Sequence, residues 1–235
     1  MLSKLTPSIK ALILDMDGVL WQENEPIGNL AETFARIRDL GLKFTLATNN
    51  STRTISQYQQ RLANFGVNVE HWQIVTSGIA TAELLAQRFP QGGPVYLIGE
   101  AGIAEALTEK GFYLSAENPL AVVAGIDRQI SFEKLRRATL LIRGGAPFYG
   151  TNPDRTFPTP EGLILGAGAI LAALQTSTDV VPIIAGKPDK FMMDVCMQRM
   201  GTHPQETLAV GDRLETDILS GQNCGCRTAL VLSLP

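Results

Sequence analysis

Short apolar runs alternate along almost the whole chain with longer stretches in which apolar residues recur every three or four positions. The first run, Ala11-Leu12-Ile13-Leu14, reads as a buried strand and is cut off by Asp15-Met16-Asp17-Gly18. Residues 29–40, NLAETFARIRDL, place Leu30, Phe34, Ile37 and Leu40 on one helical face, and Gly41 follows as a natural stop. KFTLAT, residues 43–48, predicts a strand, and Ser51 predicts the N-cap of a helix through Tyr58 to Asn64, closed by Gly66.

From Ser77 the same rhythm predicts a helix over IATAELLAQRF, a strand over PVYLIGE, a helix near 102–110 and a strand over AVVAGI. A helix over FEKLRRATLLIR and a strand over APFYGT come next. A Pro-rich passage, TNPDRTFPTPEG, then breaks the pattern. After a helix near 167–175, three closing units read as VPIIAGKPD with helix 190–200, TLAVGD with helix 214–221, and the strand RTALVLS. This order predicts an α/β fold with a mostly parallel sheet. With no repeat and no low-complexity linker, a second domain has to be inserted into the first.

Composition narrows the function classes. At 235 residues and 45% hydrophobic the chain can bury a sizeable core, whereas 20 basic against 23 acidic residues leave no basic footprint for nucleic acid. No apolar run approaches a membrane span and MLSKLTPSIK lacks a signal-peptide core, so the expectation is a cytoplasmic protein with a small-molecule partner. Cys196, Cys224 and Cys226 lack a second Cys/His pair at zinc spacing and read as reduced structural thiols. His71 and His203 stand alone in loop-like contexts. LILGAGAILAAL, residues 163–174, opens like a dinucleotide fingerprint, but Leu171 takes the place of the third glycine.

Four polar clusters each follow an apolar run: Asp15 with Asp17, Thr48-Asn49-Asn50, Gly186-Lys187-Pro188, and Gly211-Asp212 with Asp217. In parallel α/β sheets the C-terminal strand ends share one edge, where ligands bind, so the four clusters are expected to converge. Three aspartates with no nearby imidazole or thiol form an oxygen-only donor set, which points to Mg2+ and away from zinc. Hydroxyl, amide and backbone N–H groups at 48–50 suit phosphate oxygens, and Lys187 adds a positive point charge. Together these groups describe phosphoryl transfer to a carboxylate.

DMDGVL, TNNS, GKP and GDRLETD resemble, in order, the four motifs of the haloacid-dehalogenase superfamily of aspartate-nucleophile phosphatases, and the TNNS form resembles its NagD-like, para-nitrophenyl phosphatase branch. The resemblance implies a doubly wound core, residues 1–78 and 182–235, with an α/β cap inserted at 79–181 that closes over the site and chooses the substrate. It implies Asp15 as the nucleophile, Asp17 as acid and then base, and Lys187 as the group that orients Asp15. Mg2+ would be held by the Asp15 side chain, the Asp17 carbonyl and the Asp212 side chain, with Asp217 one shell further out. Thr48, Asn49 and Asn50 would hold the phosphoryl oxygens, and Asn152 and Asp154 are candidates for substrate contact. The implied partner is a small phosphorylated metabolite such as nitrophenyl phosphate, phosphoglycolate, a sugar phosphate or a nucleoside monophosphate. A phosphotransferase, a dehalogenase and a non-catalytic binding protein are the rival readings. Relatives usually continue beyond Leu234-Pro235 for about another strand and helix, so an edge strand is expected to be missing or supplied by a second subunit of a homo-oligomer.

Overall fold

The alternation of apolar runs and amphipathic stretches folds, in the computed structural model, into two parallel sheets with helices between their strands. It describes residues 8–159 and 161–232. In chain order the elements are β1 (Ala11–Leu14), β2 (Trp21–Gln22), β3 (Glu25–Pro26), α1 (Leu30–Asp39), β4 (Lys43–Thr48), α2 (Ile55–Asn64), β5 (Ile74–Thr76) and α3 (Ser77–Arg88). There follow β6 (Gly93–Ile98), α4 (Ala101–Glu109), β7 (Phe112–Leu114), β8 (Val122–Ala124), α5 (Phe132–Arg143), β9 (Phe148–Gly150), β10 (Thr156–Thr159), β11 (Gly162–Leu165) and α6 (Ala167–Thr178). The last are β12 (Ile183–Ile184), α7 (Phe191–Met200), β13 (Thr207–Gly211), a π-helical turn over Leu214–Ile218, α8 (Leu219–Asn223) and β14 (Arg227–Leu230).

These elements form two compact units. The first takes the chain up to Thr48, Ile55–Val75 and Lys187 onward; the second takes Asn49–Thr54 and Thr76–Gly186. The first unit holds a sheet in the order β14-β13-β1-β4-β5. β1 is parallel to both β13 and β4, with Leu14 level with Val210 on one side and Leu46 on the other. All four residues of β1 are buried, as a central parallel strand covered on both faces requires. The register therefore delivers Asp15, the end of β4 and the end of β13 to one edge of the sheet. In α1 the Asn29 side chain accepts a hydrogen bond from the Glu32 N–H, and Leu30, Phe34 and Ile37 face inward. Phe34 meets the edge of Phe44 from β4 with ring centroids 5.0 Å apart.

The second unit is built on its own parallel sheet, ordered β12-β9-β8-β6-β7, with β10 and β11 forming a separate antiparallel hairpin. Its core gathers Ile98, Val122, Ala124, Phe148, Ile142 of α5 and Leu174 of α6, among others. Ser131 caps α5 by accepting from the Lys134 N–H.

Several expectations are corrected. Ser51 caps no helix: α2 starts at Ile55, because the Asn50 side-chain oxygen takes both the N–H and the hydroxyl of Thr52 and turns the chain aside. The VPIIAG run does not add a strand to the first sheet. Its two-residue β12 pairs with β9 at the edge of the second sheet, and Ile183 is 43% exposed, so this run never had a central strand's burial. The Pro-rich passage is not bare loop, since Thr156–Thr159 pairs with Gly162–Leu165. The helix expected over 214–221 divides into the π-helical turn and α8. β2, β3, β5 and β7 have no counterpart in the sequence pattern, because two or three residues carry no measurable alternation. β14 ends at Leu230, and Ser233, Leu234 and Pro235 lie outside the described residues.

Phe34 is fully buried, so Phe34→Ala should destabilise the first unit by about 3–5 kcal/mol. Urea unfolding checks this: the expected outcome is a lower midpoint at an unchanged m-value, and a loss of unfolding free energy below about 1 kcal/mol would show that the cavity collapses.

Candidate active site

A buried apolar strand that ends in a carboxylate must supply that carboxylate with partners, and the first unit does so around Lys187. The Asp15 N–H donates to the Val210 carbonyl at 2.9 Å, which extends the sheet ladder by one residue and fixes where the side chain leaves the edge. Asp15 is 8% exposed, Asp217 4% and Lys187 2%. The Lys187 ammonium donates to Asp15 Oδ1, to Asp217 Oδ1 at 2.6 Å and to the Ala47 carbonyl at 3.1 Å. An ammonium has three N–H groups, and each has its own acceptor here. Lys187 pairs with Asp15 through Oδ1.

Asp217 is anchored from the other side as well. The π-helical turn bends the backbone so that the Arg213 N–H donates to Asp217 Oδ2 at 3.1 Å, while the Asp217 and Ile218 N–H groups both return to the Arg213 carbonyl. Asp212 differs: its Oδ1 is buried and accepts no hydrogen bond. Gly18 makes room for this carboxylate. At φ +86°, a conformation that side chains disfavour, a Cβ on Gly18 would stand 2.1 Å from Asp212 Oδ2. Oxygens of Asp15, Asp212 and Asp217 all lie within 4.8 Å of one another.

The electrostatics follow from this crowding. Burial is the main force pushing the Asp15 carboxyl up to about 8, with Lys187 opposing and Asp217 adding to the rise. Burial, then Asp217, raises Asp212. Burial by itself would lower Lys187, but Asp15 and Asp217 outweigh it and hold the ammonium above its ordinary range. With all three acids ionised, three negative charges face one positive charge. An orphaned buried acceptor in an all-oxygen donor set with excess negative charge fits a hard divalent cation.

Asp17 is exposed, two residues on from Asp15, and its Oδ1 accepts from Trp21 Nε1 at 2.7 Å. Trp21 is fully buried, stacked on Tyr58 at 6.5 Å, with the Arg61 guanidinium 4.2 Å from its ring centre. Trp21 was missed in the sequence; the available signal was an aromatic N–H donor four residues after an acid in a tight turn. Thr48 is buried at the end of β4.

The second unit joins another set of expected residues. Asn49 Nδ2 donates to Asp154 Oδ2 at 3.1 Å, and the Asn49 carbonyl accepts from Asn152 Nδ2 at 2.7 Å and from the Ser77 hydroxyl at 2.6 Å. The Asp154 N–H donates to Asn152 Oδ1. Asn50 instead turns its amide oxygen onto Thr52, and neither Asn49 nor Asn50 begins a helix. The Gly166 and Gly168 N–H groups donate to the Arg155 and Asp154 carbonyls, so the amides of the fingerprint-like stretch are already used by the chain itself.

The haloacid dehalogenase-like hydrolase model matches residues 12–113, and a HAD-hydrolase-like model matches 184–233. The chain is 40% identical to the 5'-nucleotidase YutF of Bacillus subtilis (strain 168) over 222 residues, 94% of this chain and 86% of the relative. It is 36% identical to an acid sugar phosphatase of Staphylococcus aureus (strain USA300) over 220 residues, 93% of this chain and 85% of that one. Among solved structures, NagD from E. coli K-12 superposes with a TM-score of 0.89 at 34% identity, covering 96% of this chain and 88% of NagD.

Burial raises the folded-state pKa of the Asp15 carboxyl to about 8, against 3.8 for an unfolded carboxyl. The folded state therefore binds more protons between those values, and stability falls as pH rises from about 4 to about 8. Melting temperatures measured in chelator across that range should fall more steeply in the unmutated protein than in Asp15→Asn; parallel curves would refute the assignment to Asp15.

Proposed function

The chain belongs to the haloacid dehalogenase-like hydrolases, in the NagD-like branch, and from that premise we propose that it is a Mg2+-dependent phosphatase that hydrolyses small phosphate monoesters through an aspartyl-phosphate on Asp15. The observation that carries this reading is the buried Lys187, held between Asp15 and Asp217 beside the orphaned oxygen of Asp212. A purely structural ion pair would match its charges; this cluster keeps an excess of carboxylate at a strand end.

In the proposed reaction Asp15 Oδ2 attacks phosphorus as the ester P–O bond breaks, and Asp17 gives its proton to the departing oxygen. Water then attacks the same phosphorus, Asp17 takes a proton from it, and the bond from Asp15 to phosphorus breaks to release phosphate. Trp21 holds Asp17 by one oxygen, so the other carries the proton in both steps. Lys187 orients Asp15 and offsets charge, and Asp217 holds Lys187. Thr48, Asn49 and Asn50 take the phosphoryl oxygens. The Asp15 side chain, the Asp17 carbonyl and the Asp212 side chain would hold Mg2+, which when bound supplies positive charge to the phosphoryl oxygens.

The substrate class is a small phosphate monoester, and Asn152 and Asp154 are the residues proposed to contact it. The names of the relatives, a 5'-nucleotidase and an acid sugar phosphatase, support nucleoside monophosphates and sugar phosphates as the first esters to assay.

With nitrophenyl phosphate, Asp15→Asn should lower kcat by about 10^3 or more, since a group acting in the transition state is lost mainly from kcat; near-native turnover would defeat the nucleophile assignment. Asp17→Asn should cost more with an alkyl phosphate than with nitrophenyl phosphate, whose leaving group needs less protonation. Equal losses on both esters would remove Asp17 from the acid role. Chelation should abolish turnover and Mg2+ restore it, and Asp212→Asn should require a higher Mg2+ concentration for half-maximal rate.

A further inference from the structure

The turn between α8 and β14 carries Cys224-Gly225-Cys226, which the proposed phosphatase chemistry does not use. Its backbone is fixed by two hydrogen bonds that close the end of α8. The Gly225 N–H donates to the Gln222 carbonyl at 3.0 Å and the Cys226 N–H to the Gly221 carbonyl at 2.9 Å. Gly225 sits at φ +79°, so only a residue without Cβ takes this place without strain. This left-handed step puts the two flanking side chains on the same side of the turn, with Cys224 Sγ and Cys226 Sγ 3.3 Å apart. Both are free thiols; Cys224 is half-buried and Cys226 is 8% exposed.

We propose that Cys224 and Cys226 form a reversible intramolecular disulfide, and that this turn is a thiol modification site for small disulfides of the glutathione class. The Cys224 thiolate attacks one sulfur of the oxidant, whose S–S bond breaks; one thiol leaves, and a mixed disulfide stands on Cys224. Cys226 then loses its proton to solvent and attacks Cys224 Sγ, the mixed S–S bond breaks, and the second thiol leaves. Two electrons pass from the protein to the oxidant, and two small thiols are released for each disulfide made.

The two sulfurs differ in the way this order requires. Cys224 is the more exposed sulfur, and its contact with Cys226, working against burial, draws its thiol down to about 7, so it is the sulfur placed to meet the oxidant first. Cys226 is raised, first by its bond to Cys224 and then by burial. Once Cys224 is capped its negative charge is gone, and that restraint on Cys226 goes with it. A metal fits less well. Two thiolates on one tetrahedral zinc at 2.3 Å would stand about 3.8 Å apart, wider than this pair. The next sulfur is a thioether, Met197 Sδ, 3.6 Å from Cys226 Sγ. Among the described residues no cluster of three metal-ligating His, Cys, Asp or Glu side chains includes either cysteine.

Reduced protein equilibrated with oxidised glutathione, then unfolded and titrated for thiols, tests the proposal. The titre should fall from three to one, the peptide bearing both cysteines should lose the mass of two hydrogens, and dithiothreitol should restore it. Cys196→Ala should react at the same rate, because Cys196 is fully buried and its thiol is raised by that burial to about 11. Cys226→Ser should stop at a glutathione adduct on Cys224. A titre that stays at three, a stable glutathione adduct in the unmutated protein, or zinc retained by the reduced protein in place of oxidation would each overturn it.

Discussion

A buried ammonium is tolerated only where every one of its protons has an acceptor and its charge has a counterion, and Lys187 sets that requirement for the first unit. The three acceptors come from three distant stretches: Asp15 just past β1, the Ala47 carbonyl in β4, and Asp217 in the turn after β13. Meeting them together fixes how the ends of β1, β4 and β13 are aligned, which the parallel register of the sheet independently provides. Sheet and ion cluster thus specify the same geometry. The cluster also holds more carboxylate than Lys187 neutralises, so the constraint that organises the fold creates the electrostatic demand for a further cation.

Most of the first unit was legible because its signals are local and strong. The buried run of β1 ends in acids, α1 announces itself with an inward face and Gly41, and β4 matches the expected strand over its whole length. Lys187 shows how a candidate residue can be reached through a wrong element. The apolar residues before it looked like another strand of the same sheet, yet β12 belongs to the second unit's sheet, and Lys187 gains its burial from its ion partners and not from a strand. Apolar content identifies a strand; which sheet receives it depends on pairing partners far along the chain. Trp21 and the Asn49–Asp154 contact escaped for the same reason, since each depends on a side-chain direction or a long-range encounter that periodicity does not encode.

The two acids after β13 show what the structure adds to the motif. Asp212 and Asp217 are the same residue type five positions apart, and sequence alone assigns them by analogy. In the fold they face opposite chemical situations. Asp217 spends one oxygen on Lys187 and the other on the Arg213 N–H, an arrangement that the π-helical turn produces by drawing the chain back over its own start. Asp212, before that turn, keeps a buried oxygen with no donor, and Gly18 leaves space beside its partner oxygen. A saturated carboxylate can hold a neighbour in place but has little left to offer an incoming ion, whereas an orphaned one carries a desolvation cost that an incoming cation relieves. The proposed division of labour, Asp212 for the metal and Asp217 for the lysine, thus rests on which lone pairs the fold has already used.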